Sequence, residues 1–584
     1  ALPLALPNGN PALEARLRYI TAKTLRDLNH LDEAKTQVET AIQIVEQIRA
    51  DVVSSSFRES YLASVRNFYE LYISLLTQLH LQQPSAGYDA QAFHVSERAH
   101  ARSLLELLTE SGGDLRQGVD SHLLEQEQTL KIQLKTKLEY LAKVVNGTAV
   151  TPQGDQLPQE VDSLTEAYQR VQAEIRQKSP RYAALTQPQP LTLPEIQKTL
   201  LDADSLLLEY TIGDAYSCVF AITPTSIKVY PLPKRSEIEA LTRQVVELIN
   251  QPASSNRTLK LENPNTTSTA KPTATFKKSA TALSQMVLGP VAAELGQKKL
   301  LIVADGPLNY LPFAVLPDPN QKQASPLIEH HEIINLPSAS VLAAVRQETR
   351  NRPLAEKILA VVADPVFGGP DDDRLNPHIR NLVRPALNLT AQRILDRIQS
   401  HPPAPTSSEA AAETTGQVLI PRLPGTRAEA NQIANLLPVQ NVLKITDFEA
   451  TRELITSNQL SRFQYVHFAT HGFLDTARPQ LSALVLSMVD KAGTPKDGFL
   501  RAFDVYNLNL PAELVVLSAC ETGLGKSVNG EGLVGLTRGF MYAGTKRVIV
   551  SLWSVSDTAT SDLMTRFYKK LLVEKQRPAA ALRA

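Results

Sequence analysis

From about Leu193 onward the chain is a series of short apolar, β-branched runs, several of them separated by helical patterns. The runs are Ser205–Thr211, Tyr216–Ile222, Ser226–Leu232, Lys299–Ala304, Glu332–Leu336, Lys357–Ala363, Val442–Thr446, Gln464–Thr470, Ala483–Ser487, Leu514–Ala519 and Arg547–Leu552, with a helix at Arg235–Asn250. Strands that alternate with helices require crossover connections, which predicts an α/β fold with a largely parallel sheet. In such a sheet, reacting groups collect outside the carboxyl ends of adjacent strands. Two runs end in chemically competent residues: Tyr465-Val-His-Phe-Ala-Thr-His471-Gly472 and Leu514-Val-Val-Leu-Ser-Ala-Cys520-Glu-Thr-Gly523.

A histidine and a cysteine delivered by two such strands form a thiolate–imidazole pair, the base and nucleophile of a cysteine peptidase. In that geometry His471 polarises the scissile carbonyl or relays the proton, and Cys520 attacks. Gly472 follows the histidine directly, so its N–H can approach a ligand closely and, with the N–H of Cys520, bind the developing oxyanion. The alternative for Cys520 is an inert core thiol, but it stands where the apolar run gives way to Glu-Thr-Gly. His467, within the strand, reads as a packing or supporting residue. Cys218, in Tyr216-Ser-Cys-Val-Phe220, reads as strand core.

Two cysteines 302 residues apart make neither a disulfide framework nor a metal site. That favours a reducing compartment, the cytoplasm, although the chain starts at Ala1 without methionine and a removed leader is not readable. The 60 Lys+Arg and 60 Asp+Glu cancel, leaving no global field for nucleic acid or an anionic membrane. No apolar run reaches the roughly 18 residues needed to span a bilayer. No His/Cys/Asp spacing predicts a zinc site, and neither metal nor cofactor is expected.

A chain of 584 residues needs several domains. Residues 1–118 read as helices. Leu17, Ile20, Leu25, Leu28 and Leu31 recur at helical spacing, followed by Ala34, Val38, Ala41 and Val45. Small residues at Ala22, Ala34 and Ala41 have offsets similar to those of a tetratricopeptide (TPR) repeat, with a looser copy in Phe68–Leu108; a plain helical hairpin is the alternative. Residues 119–192 read as a long helical hairpin and 193–584 as α/β. Gln251–Thr275 and Pro365–Pro421 read as loops on the surface.

His-Phe-Ala-Thr-His471-Gly and Leu-Ser-Ala-Cys520-Glu-Thr-Gly resemble the two signature motifs of CHAT domains, caspase-like domains often joined to TPR repeats. Leu207-Leu-Glu-Tyr210, Asp305-Gly-Pro-Leu-Asn-Tyr-Leu-Pro312, Leu423-Pro-Gly-Thr-Arg-Ala-Glu429, Gly530-Glu-Gly-Leu533 and Ser551-Leu-Trp-Ser-Val-Ser-Asp557 look like the same family. The resemblance covers roughly residues 195–584. The 49 residues between His471 and Cys520 are close to the separation of about 50 in caspases. The resemblance implies a caspase-like α/β sandwich in two related halves (193–350 and 351–584), a separase-type arrangement, endopeptidase activity with His471 and Cys520 as the dyad, and a protein partner for the TPR-like helices.

The resemblance to separases also implies that Asp557 reads a basic P1 residue; its alternative is a helix N-cap. Asp364 is a second candidate for that pocket, and Trp553 a candidate wall. Members of the family continue beyond the helical pattern at Ala584, so the catalytic half is expected to be cut short. Two other functions compete. One is a silent TPR–CHAT scaffold that binds peptides without cutting them. The other is a nucleotide switch, because Cys520-Glu-Thr-Gly-Leu-Gly-Lys-Ser527 is one residue away from a phosphate-binding P-loop. A P-loop needs a helix N-terminus immediately after it, whereas the next helix is expected near Glu531, with Gly523–Gly532 as a flexible rim of the cleft.

Overall fold

The computed structural model describes residues 10–51, 55–100, 190–250, 272–368, 372–375, 420–473, 482–519, 526–528, 532–553 and 555–584, together with individual positions between 104 and 174. Helix α1 (Pro11–Asp27) starts at Asn10, whose side chain accepts the Leu13 N–H at 3.1 Å. It turns through Asn29, in the left-handed region at φ 63°, and pairs with α2 (Leu31–Asp51). Helices α3 (Ser55–Gln82) and α4 (Tyr88–Ala99) form a second pair. Ala22, Ala34 and Ala41 are fully buried, because small side chains let the helix axes approach. Ile20 and Leu28 lie exposed instead of on the packed stripe, since α1 meets its neighbours through its alanine face, Ala15 and Ala22. Of the expected hairpin at 119–192, isolated helical positions are described, and Lys137 pairs with Glu160 at 2.6 Å.

A short helix, α5 (Leu193–Thr199), leads into the first five-stranded sheet, in the order β3-β2-β1-β4-β5. Its strands are β1 (Ser205–Ile212), β2 (Ser217–Ile222), β3 (Ile227–Leu232), β4 (Lys299–Val303) and β5 (Ile333–Leu336). β1–β3 form an antiparallel meander; β4 and β5 join in parallel. Helices α6 (Arg235–Ile249) and α7 (Pro272–Val287) cross between β3 and β4. Pro272 to Thr275 therefore belong to a helix and not to the loop expected there. Helix α8 (Ala339–Thr349) then leads to the second half.

The second sheet, in the order β15-β12-β8-β6-β7, is parallel throughout. It comprises β6 (Lys357–Pro365), β7 (Val442–Asp447), β8 (Phe463–Ala469), β12 (Leu514–Ser518) and β15 (Val548–Val550). Alternate residues serve two cores. Ala360, Val362, Val466, Phe468, Val515 and Leu517 face one layer, which includes α10 (Arg452–Thr456) and α11 (Leu536–Tyr542). Leu359, Val361, Ala363, Leu514 and Val516 face the other, with α9 (Pro424–Ala434) and α12 (Asp557–Tyr568). Burial on both faces is why these strands read as almost unbroken apolar runs. A three-stranded antiparallel sheet, β11-β10-β9, flanks the site: β9 (His471–Phe473), β10 (Ala483–Val485) and β11 (Phe499–Arg501).

The helical region packs directly on the first sheet. Leu207, Cys218, Phe220, Ile222, Leu301 and Val303 share one core with α1–α4, and Phe93 meets Phe220 edge-on at 5.7 Å. Cys218 is the core thiol expected, and burial pushes it up. The same interface buries an acidic node. Glu97 on α4 caps α8, accepting the Ala339 and Ser340 N–H groups at 2.9 Å each. Burial first, and then the charge of Glu209 on β1, push Glu97 up to about 8; burial pushes Glu209 up to about 7. His100, just past the end of α4, is held down by burial, while Asp305, against its own burial, is held low by Arg66 at 2.7 Å.

A raised carboxyl pKa sets the sign of the pH dependence. Between its ordinary value and about 8 the unfolded chain has released the proton that the folded chain retains, so stability falls as pH rises through that window. Melting temperatures followed from about pH 6 to about pH 9 are expected to fall in the wild type. The fall is expected to be smaller in Glu97→Gln, which keeps one acceptor for α8 and removes the titration. Equal slopes in both proteins would refute this account.

Candidate active site

β8 and β12 lie side by side in register, Leu514 opposite Tyr465 through Ser518 opposite Ala469. Paired positions are thus 49 residues apart, the same separation as His471 and Cys520 in the sequence. At Thr470 the chain leaves the parallel sheet. The Thr470 hydroxyl donates to the Val485 carbonyl, and β9 pairs with β10 antiparallel, His471 opposite Val485 and Gly472 opposite Leu484. His471 is therefore presented just past the carboxyl end of β8, where a parallel sheet gathers its reacting groups. Cys520, one residue beyond Ala519, lies outside the described residues. Ala519 is tied by its carbonyl to the hydroxyl of Ser551, at the tail of β15.

His471 is fully buried. Its Nε2 meets the backbone carbonyl of Pro421 at 2.8 Å, and its ring packs against Phe367 with centroids 5.2 Å apart. A carbonyl only accepts, so Nε2 carries the proton; in the neutral ring the basic lone pair is then on Nδ1. Backbone orientation of the imidazole does the work that a carboxylate does in a triad, and no motif marked Pro421 for it.

His467 has a different task. Its side chain lies on the opposite face of β8 from Val466 and Phe468, fully buried. Its Nε2 donates to Glu429 Oε1 at 2.8 Å, its Nδ1 accepts from the Tyr568 hydroxyl at 3.3 Å, and Ser518 Oγ donates to the same Glu429 oxygen at 2.8 Å. Glu429, on α9, thus ties the histidine strand to the cysteine strand. Burial and the Glu429 charge push Tyr568 well up, which keeps it a hydrogen-bond donor. His467 is the supporting residue that the sequence predicts.

The two acidic pocket candidates are engaged by the protein itself. Asp364 ends β6 at a bulge, in the left-handed region at φ 46°. Its N–H donates to Thr426 Oγ1 at 3.1 Å. Its carboxylate receives Arg422 bidentately at 3.1 and 2.9 Å, Arg427 at 2.9 Å and Arg374 at 3.2 Å. With three guanidinium groups on its two oxygens, the Asp364 carboxylate is engaged within the protein. Asp447, at the end of β7, shares Arg374 and Arg427; they outweigh its burial and hold its carboxyl low.

Asp557 is the first residue of α12, whose N-cap is Ser556. Instead of capping its own helix, its Oδ2 accepts the Gly425 N–H at 2.7 Å and so caps the start of α9. Trp553, just after β15, is half-buried. The rim expected at Gly523–Gly532 contains strand: β13 (Lys526–Val528) pairs antiparallel with β14 (Gly532–Val534), against α3 and the Gly306–Tyr310 turn. The next helix is α11, starting at Leu536 and not near Glu531. Lys526 and Ser527 therefore lie on a strand, with no helix N-terminus following to hold a phosphate. Among the described residues, no group of three or more His, Cys, Asp or Glu side chains could hold a metal ion.

The sequence matches the family described as "CHAT domain" over residues 277–584. That range starts inside α7, yet β1–β3 share a sheet with β4 and β5 and belong to the same structural unit. Among curated proteins, the chain is 28% identical over 249 residues to tetratricopeptide repeat protein 28 of Homo sapiens, and 28% identical over 250 residues to that of Mus musculus. Each alignment covers 35% of this chain and 10% of the relative, so the match spans about a tenth of either protein's length.

Gly425 has no room for a side chain: a Cβ there would stand 2.4 Å from Asp557 Oδ2 and 2.6 Å from its Cγ. Gly425→Ala is expected to lose about 2–4 kcal/mol in chemical denaturation, from the clash and the broken charge-assisted hydrogen bond. Wild-type stability in that variant would show that the Asp557–Gly425 contact does not hold α9.

Proposed function

We propose that this chain, which belongs to the CHAT family, is a cysteine endopeptidase that cuts protein substrates with His471 and Cys520. The observation that supports this best is the pairing of β8 with β12 at an offset equal to the separation of the two residues, with the imidazole of His471 already oriented through Nε2. In the reaction, Nδ1 of His471 takes the thiol proton and the thiolate attacks the scissile carbonyl. The N–H groups of Gly472 and Cys520 receive the oxyanion. The proton passes to the leaving amine, and water then hydrolyses the thioester. The pair supplies its own nucleophile and base, so no cofactor enters, and a working thiol fits a reducing, cytoplasmic setting.

The TPR-like helices are proposed to receive a protein partner. They share a core with the first sheet and touch β13–β14 through α3, so they form one platform with the α/β halves. With Asp364 ringed by arginines, Asp557 carries the proposed preference for a basic P1 residue. A scaffold that binds peptides in the same cleft without cutting them is the second reading. The direct engagement of helices and sheet favours it, because such a platform serves binding whether or not a bond is broken.

Incubation of the purified chain with a cell proteome, followed by mapping of new N-termini, separates the two. Wild type is expected to generate termini that Cys520→Ala does not, and His471→Ala is expected to lose roughly three orders of magnitude in rate. Identical termini from wild type and Cys520→Ala would leave the scaffold. In a P1-varied peptide library, arginine or lysine is expected to lead, with the preference weakened in Asp557→Asn. A leucine preference unchanged by that substitution would remove Asp557 from the pocket.

A further inference from the structure

The residues around Asp364 and those that hold His471 alternate along the same two stretches of chain. Phe367, which packs on the His471 ring, is three residues beyond Asp364 on the tail of β6. Pro421, whose carbonyl accepts from His471 Nε2, immediately precedes Arg422, whose guanidinium forks onto both oxygens of Asp364. We propose that Asp364 is a positioning residue for His471. By binding Arg422 it anchors the Pro421 carbonyl, and that carbonyl keeps the imidazole proton on Nε2 and the lone pair on Nδ1.

Three observations carry this. Asp364 is fully buried and conformationally committed: φ is 46°, and the residue is held at its N–H by Thr426 as well as at its carboxylate. A non-glycine residue in that region persists only where its surroundings over-determine it. Second, the Arg422 fork is planar and bidentate, so it fixes orientation as well as distance, which a single point charge would not. Third, the remaining Arg422 contact, to Asp373 at 2.8 Å, goes to a carboxylate 81% exposed, so Asp364 provides the buried end of the anchor. Arg427 and Arg374 attach to Asp364 as well and bridge it to Asp447, but neither adjoins Pro421 in the chain as Arg422 does.

The inference rests on the peptidase reading for its kinetic arm and not for its structural one. The structural arm is the imidazole ¹⁵N spectrum of the full chain labelled at histidine, with the His471 signals assigned by their loss in His471→Gln. Wild type is expected to show a single tautomer, protonated at Nε2; Arg422→Gln is expected to show a mixture of both, and Arg422→Lys an intermediate spectrum. The kinetic arm is labelling of Cys520 by an electrophilic peptide probe, normalised to folded protein. It is expected to slow roughly tenfold in Arg422→Gln, with a displaced pH profile. Loss of fold alone would lower the labelled fraction without moving that profile.

Asp364→Asn is expected to behave like Arg422→Gln. If it fails to fold, Arg422→Gln decides, because Arg422 is partly exposed and its loss leaves Asp364 two other arginines. A folded Arg422→Gln that keeps the single Nε2–H tautomer and the wild-type pH profile overturns the proposal. A wild type that never labels, together with a tautomer that shifts in Arg422→Gln, removes the peptidase reading and upholds the positioning role.

Discussion

The second α/β half depends on the seating of one nine-residue stretch, Pro421 to Glu429, beneath the carboxyl ends of β6, β8 and β12. Its residues engage polar groups from several elements there. Pro421 holds His471, Arg422 and Arg427 hold Asp364, and Thr426 holds the Asp364 N–H. Gly425 meets Asp557, and Glu429 joins His467 to Ser518. A helix start exposes unsatisfied N–H groups, and a parallel sheet ends in strand termini that need fixing in space. Packing one against the other answers both needs. It also explains why Leu423-Pro-Gly-Thr-Arg-Ala-Glu429 is so specific a string: the glycine admits the Asp557 carboxylate, and each polar residue has a buried partner.

The site separates orientation from chemistry. His471 is oriented by a backbone carbonyl and an aromatic ring, neither of which titrates, while the charged groups are gathered a step away around Asp364 and Asp447. The acidic node at Glu97 and Glu209 is separate from this one. It lies between the helical region and the first sheet, and links pH to how the helices sit on the α/β halves. The β13–β14 hairpin, touching α3 on one side and following the Cys520 segment in the chain, connects the two regions physically.

Much of this architecture was legible in the sequence. Burial on both faces makes each central strand an apolar run bounded by polar residues, and all eleven runs that periodicity marks contain an observed strand. His467 was readable as support because it lies inside such a run, four residues before His471. The three-residue strands β9, β11, β13 and β14 were not legible, because segments that short carry no periodic signal. Asp364 shows the limit of reading charge along a chain. It is acidic and near a strand end, as a pocket requires, but its partners, Arg374, Arg422 and Arg427, come from distant parts of the sequence.

The sequence by itself determined the α/β class, the helical region before it and the offset of 49 residues that brings the two motif strands together, because those follow from local apolar periodicity and strand pairing. Only the tertiary structure decided which nitrogen of His471 carries the proton, since that depends on a carbonyl 50 positions away in the chain. It likewise decided that Asp364 belongs to an internal ion cluster, because a carboxylate's availability depends on the cations folded around it and not on its place along a strand.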